Sequence, residues 1–318
     1  MANLYVKDYV LLIKKESSYG TLDYTPSDKY ADQLGMSQNV GTYESGRTTG
    51  TLEPRIQQQL EGLKNPTGTW SGDMTTNHDE LYKLFFQDTG SPYVWQTSDG
   101  GSSYSFFRYN NIAESGDYYY DYLSGVKIEK LTISGETGGN IQFSADLRAK
   151  GIDYHVIDDS GTAITKTSIT DTTPPALSLF PFHSVGCSLG NDSGKATLMS
   201  FSLELTNVFA DDSVNFLNSQ TKAQDLICHG EGTLTYTYLA DTTFDSEIYD
   251  NVMNSTISSS VGYDQISYTD GINTHTITTY GKYEAPIIDT AGDCMVIVTV
   301  TKRLMGNGTL DACSIAVS

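Results

Sequence analysis

The chain has 318 residues, 38% of them hydrophobic, which suffices for two ordinary domains or one large all-β domain with real cores. Its formal net charge is −20, and the acidity is spread along it: 13 basic and 22 acidic residues in 1–159, 6 basic and 17 acidic in 160–318. Such a surface repels free nucleic acid and anionic membranes; it suits a cationic partner, a high-salt medium, or a surface along which DNA passes without sticking.

Gly, Ser, Thr and Tyr are abundant and helix formers sparse, the vocabulary of strands and tight turns. The start, MANLYVKDYVLLIKKES, is apolar over too short a run for a secretory leader. Residues 4–15 alternate into a first strand. Nowhere is an apolar run long enough to span a bilayer, so a protein made in a cytoplasm is expected. About residues 22–51 no period emerges, and a segment of that length predicts a projecting arm or contact loop. TLEPRIQQQLEG then predicts a strand with Pro54 near its start, where a missing N–H is tolerable.

The stretch GTWSGDMTTNHDELYKLFF, Gly68 to Phe86, predicts a second strand, a polar turn and a helix. Asn77 with Glu80 forms a capping-box variant, and Leu81, Leu84 and Phe85 make the core-facing stripe. VWQTSDGGSSYSFFRYNNI predicts a hairpin turning at Asp99-Gly100-Gly101. VKIEKLTISGETGGNIQFSADLRAKG is the clearest hairpin: Ile141, Phe143, Ala145 and Leu147 share one face, and Gln142, Ser144, Asp146 and Arg148 the other. Residues 158–175, ending in Pro174-Pro175, read as a linker. Beyond it Phe201, Leu203 and Leu205 alternate with Ser202, Glu204 and Thr206. GTLTYTYL alternates Thr against Leu234, Tyr236 and Tyr238, and a helix with Phe244, Ile248 and Val252 on one face follows. DQISYTDGINTHTITTYG predicts a hairpin at Asp270-Gly271, and CMVIVTVTKRL a strand buried on both faces.

Chemistry-bearing constellations are thin. His78, His155, His183, His229 and His275 are scattered; His183 with Cys187 and Cys228 with His229 match no zinc-finger spacing, so no metal and no cofactor is expected. Cys187, Cys228, Cys294 and Cys313 form no C-x-x-C pair and read as buried free thiols. No G-x-S-x-G, phosphate loop or H-E-x-x-H is present, and nothing argues for an enzyme. GDYYYDYLSG, residues 116–125, is the most unusual run: a strand with alternating Tyr, a protein contact, or a platform for sugar rings.

The second half echoes the first. Ile56 and Leu60 match Phe201 and Leu205 in phase, Gly-Thr strands follow at Gly68 and Gly232, and each leads into a helix. A duplicated chain is expected, with β domains over 1–165 and 166–318.

In KKESSYGTL, the long segment after it, GTWSGDMTTNHDELYKLFF and LTISGETGGNIQFSADLRAKG, the chain resembles the tail tube, or major tail, proteins of long-tailed bacteriophages. The resemblance implies a mainly β fold, a β-sandwich with one short flanking helix per unit, whose subunits close into a ring-forming β-barrel. It implies a structural virion protein of the phage tail, with rings stacked into a tube for genome passage. The implied partners are copies of itself as homo-trimer or homo-hexamer rings, tail terminator, baseplate and tape-measure proteins, and viral DNA passing without specific binding. A duplicated chain goes with the trimer, an unduplicated one with the hexamer. On this resemblance Tyr24, Tyr43 and Arg47 are inter-ring contact candidates, and Gln57, Gln59, Glu61, Ser202, Glu204 and Thr206 are lumen-facing candidates. The alternative is a glycan-binding or adhesin β-sandwich, motivated by Tyr118, Tyr119 and Tyr120.

Overall fold

The computed structural model describes residues 9–21, 28–30, 32–45, 58–87, 90–95, 101–111, 118–157, 178–189, 192–193, 197–211, 215–217, 221–240, 264–284, 287–291, 295–306 and 311–318. In chain order the first half contributes β1 (Tyr9–Lys15), β2 (Asp28–Tyr30), β3 (Gln33–Ser45), β4 (Gln58–Asp73), α1 (Asp79–Phe86), β5 (Tyr93–Val94), β6 (Tyr104–Asn111), β7 (Tyr118–Glu136), β8 (Gln142–Arg148) and β9 (Gly151–Ile157). The second contributes β10 (Gly186–Leu189), β11 (Asp192–Ser193), β12 (Thr197–Phe209), β13 (Ile227–Ala240), β14 (Asp264–Thr269) and β15 (Thr274–Thr279). It closes with β16 (Gly281–Tyr283), β17 (Ile287–Ala291), β18 (Met295–Leu304) and β19 (Cys313–Val317).

The fold is mainly β, sandwich-like, with every strand pairing antiparallel and no closed barrel within the chain. One path runs β3-β4-β8-β7-β12-β13-β18-β17 and makes a wide main sheet. A second layer has two parts. In the first, β2-β1-β6-β7-β9 pair in that order; in the other, β11-β10-β14-β15-β19 do, with β5 added beyond β19. The same pairing order therefore occurs twice: the four-strand set β3-β4-β8-β7 is followed by β12-β13-β18-β17, each built from two hairpins. The halves differ at β7, which serves both layers. Its Tyr118–Val126 portion pairs β6, and its Lys127–Glu136 portion pairs β8 and β12. The bend falls at Gly125, whose φ of +66° suits glycine and whose absent Cβ would meet Lys150 Cβ at 2.7 Å.

The inner faces meet in a single core drawn from both halves, including Trp70, Leu131, Ile133, Leu203, Leu234 and Ile266. Helix α1 buries Leu81, Tyr82, Leu84, Phe85 and Phe86 in it. Tyr82 bonds Tyr268 Oη and His275 Nδ1 at 2.9 Å each, and Asn207 Nδ2 reaches Phe85 O at 2.9 Å. The helix thus anchors both layers.

The β7–β8 and β14–β15 hairpins, the helix stripe and the alternation along β12 and β13 form as expected. Several expectations are corrected. The segment expected as a projecting arm or contact loop over 22–51 contains β2 and β3; Tyr30, Asp32, Leu34 and Met36 alternate toward the core, a short period-two run interrupted by polar Asp32. The two strands expected before α1 are the single strand β4. The helix is capped by His78 rather than Asn77, with no side-chain cap bond, because the imidazole is engaged elsewhere. No hairpin joins β5 and β6: β5 pairs β19, while β6 pairs β1 and β7, so the intervening chain crosses between layers. Finally, β18 is buried on one face only, since its other face belongs to the open side of the main sheet, where Ile297, Thr299 and Thr301 are only partly buried and Arg303 is exposed. Of the thiols Cys313 is buried but Cys228 is exposed. Cys294, the linker 158–175 and the expected helix with Phe244, Ile248 and Val252 lie outside the described residues.

Candidate functional site

The open face of the main sheet is polar across its width. Period-two alternation puts every second residue of each strand there, and the register aligns them in rows. One row runs Thr301, Thr235, Ser202, Ser134, Gln142 and Asp73; the next runs Arg303, Thr233, Glu204, Thr132, Ser144, Ser71 and Gln33. Thr235 and Thr237 meet Thr301 and Thr299 through hydroxyl pairs of 3.3 and 3.1 Å. Lys130 on β7 and Glu204 on β12 form an ion pair of 2.9 Å where the two halves join. The surface is concave. A groove of about 730 Å³ lies over Ser71, Asp73, Ser134 and Gln142, and one of about 420 Å³ over Ser200, Ser202, Thr235 and Thr237; Ser134 and Gln142 line both. Hydroxyls and amides dominate it, with charges of both signs at Lys130, Glu204, Asp73 and Arg303.

Two edges bound the main sheet. At one end β17 carries Ile287 and Ile288, 68% and 57% exposed, beside Val296 on β18. An apolar edge strand of this kind is a template for another chain. At the other end lies β3. Its hairpin with β4 outruns the sheet: β8 pairs β4 only over Thr67–Asp73, so among the described strands the remainder of β4 back to Gln58 pairs only with β3. At 3.3 Å per residue this two-stranded arm is about 30 Å long.

Ser202, Glu204 and Thr206 stand in the middle of the polar face. Gln59 and Glu61 lie on the arm, opposite Glu44 and Thr42, and Tyr43 lies there too, opposite Leu60. Tyr24, Arg47 and Gln57 fall outside the described residues. Tyr118, Tyr119 and Tyr120 belong to the start of β7; their side chains are likewise outside. Ile287 and Ile288 were missed from sequence, and the projecting arm expected within 22–51 was not foreseen as a two-stranded extension of β3 and β4. Two adjacent isoleucines ahead of a Val-rich strand were the signal for the first.

Titratable groups in the interior are engaged in packing. His78 Nδ1 accepts the Thr75 N–H at 2.8 Å, so Nε2 donates to Asp32 Oδ2 at 2.7 Å, and Trp70 Nε1 donates to the same oxygen at 2.9 Å. Thr75, His78 and Asp32 look like a nucleophilic relay, but the backbone amide occupies the basic nitrogen, and the cluster locks α1 to β4. His275, inside the core, has its pKa lowered to about 4, chiefly by burial and secondarily by His78. Among the described residues no group of three or more His, Cys, Asp or Glu is arranged to hold a metal ion, and no helix is long and apolar enough to cross a membrane.

No curated protein matches the chain. The family model described as phage tail tube protein matches residues 7–301, which takes in the polar face, both sheet edges and α1. On that match, which spans nearly its whole length, the chain belongs to the phage tail tube protein family and is a structural protein of the phage tail.

Proposed function

We propose that three copies of this chain close head to tail into a ring, and that stacked rings form the conduit through which the genome passes. The observation that carries this reading is the repeated pairing order. Within the chain, β7 ends one four-strand set and adds to β12, which begins the next. The same step taken between copies adds β17 of one to β3 of its neighbour. A contact of this head-to-tail kind closes by rotation and abolishes both edges. Six sets then surround one axis, two from each chain, and the two tube-like units divide near residues 165 and 166. The polar rows containing Ser202, Glu204 and Thr206 face the lumen, where hydroxyls and a net negative chain let DNA slide without adhering. The β3–β4 arm, with Tyr43, reaches the next ring; tail terminator, baseplate and tape-measure proteins meet the tube at its ends and in its lumen.

Electron microscopy of the purified protein and of phage-producing lysates tests this. Rings and tubes are expected. Monodisperse monomers under every condition, with no tubes in lysates, would contradict it.

A further inference from the structure

The second half holds a buried pair that tube assembly does not use. Lys302 on β18 belongs to the main sheet and Asp264 on β14 to the second layer. Lys302 Nζ lies 3.2 Å from Asp264 Oδ2, and both side chains are 0% exposed. The remaining contacts fix the pair. Tyr283 Oη donates to Asp264 Oδ1 at 2.7 Å, and Lys302 Nζ donates to Thr279 O at 3.0 Å and sits 4.9 Å from the Tyr283 ring centroid.

From this geometry we infer that Lys302 and Asp264 condense into an intramolecular isopeptide bond that ties the two sheets together. The step needs no co-reactant. The ammonium first passes a proton to the carboxylate, leaving a neutral amine and a neutral acid. The Nζ lone pair then forms a bond to Cγ, the Cγ–Oδ2 bond breaks, and Oδ2 departs as water with the acid proton and one amine proton. Oδ1 becomes the amide oxygen. Negative charge developing on Oδ1 at the tetrahedral stage meets the Tyr283 hydroxyl, already in place as a donor.

Two features favour condensation here. Burial holds the Lys302 ammonium below its ordinary pKa, outweighing the attraction of Asp264, which favours the amine. Confinement of the two groups between sheets supplies the proximity that such a step requires. Contrast Lys222 and Asp225, also buried and 3.0 Å apart. There the Arg148 guanidinium lies 3.4 Å from the same carboxylate oxygen and Asn215 Nδ2 3.3 Å from the other. With that carboxylate shared among a guanidinium, an amide donor and Lys222, the amine has no exclusive approach to its carbon, and this pair stays ionic.

The test is the intact mass of the full chain under denaturing conditions, with a tryptic map. The expected mass is one water below that of the sequence. A branched peptide should join the β14 and β18 segments, with no cleavage after Lys302. The full sequence mass overturns the proposal, and a deficit of two waters overturns the contrast with Lys222. Lys302→Met should restore the full mass whether or not the variant folds; a persisting deficit places the bond elsewhere and overturns the assignment. Tyr283→Phe should slow loss of water about a hundredfold; an unchanged rate removes Tyr283 from the step.

Discussion

At matched places in the two halves, β4 presents Gly68-Thr69-Trp70 and β13 presents Gly232-Thr233-Leu234. Trp70 pairs across the ladder with Ala145 on β8, whereas Leu234 pairs with Lys302 on β18. A large residue beside a small one fills the layer in the first half; a medium one beside a long one fills it in the second. The polar anchors differ accordingly. In the first, Asp32 gathers Trp70 and His78, and in the second, Asp264 gathers Lys302 and Tyr283. One backbone plan thus tolerates different interior chemistry provided that volume and hydrogen bonding are met locally.

That comparison can be broken most forcefully at the tryptophan. Trp70→Ala should cost about 3–5 kcal/mol, because it opens a cavity and removes a donor from Asp32, whereas Leu234→Ala should fall toward the lower end of about 2–5 kcal/mol. Denaturant unfolding of both variants measures the difference, and equal losses would mean that the anchors contribute alike. Acid comes next. His275 is buried neutral, with its pKa depressed from the ordinary 6.5 to about 4, so its contribution is fully present above pH 6.5 and is lost as pH falls toward 4. The loss approaches about 3 kcal/mol, and His275→Phe should flatten the pH dependence of unfolding over that window. His275 lies on β15, and its Nε2 has no hydrogen-bond partner, so this part of the pH slope belongs to the second half.

Surface changes should separate stability from assembly. Ile288→Lys should alter unfolding by less than about 0.5 kcal/mol, since the side chain is exposed, yet leave the protein unable to form rings in electron micrographs. Ser202→Arg alone should likewise stay under about 0.5 kcal/mol and leave rings intact. Its expected effect is salt-dependent retention of DNA by assembled tubes, measured by co-sedimentation.

Much of this plan was readable from the residues, for stated reasons. Strict alternation exposed β8 and β12, and the turns at Gly138-Gly139 and Asp270-Gly271 marked two hairpins. The echo between Gly68 and Gly232 marked the repeat. The polar phase of β12 located the centre of the open face. What escaped depends on long-range pairing. Nothing local says that β5 pairs a strand more than two hundred residues away, or that Asp32 meets Trp70 and His78. The projecting arm was expected over 22–51, but not its strand pairing, because the partner strand β4 lies outside that segment. Lys302 was concealed within a run that looked uniformly apolar, although its burial against Asp264 distinguishes the second half.

The most direct test of the central claim is the number of chains in one ring, read from class averages of assembled tubes viewed end-on together with the mass of an isolated ring. The account predicts three chains and six similar lobes around the axis. Six chains in a ring, or three chains with no sixfold likeness between their halves, would contradict it.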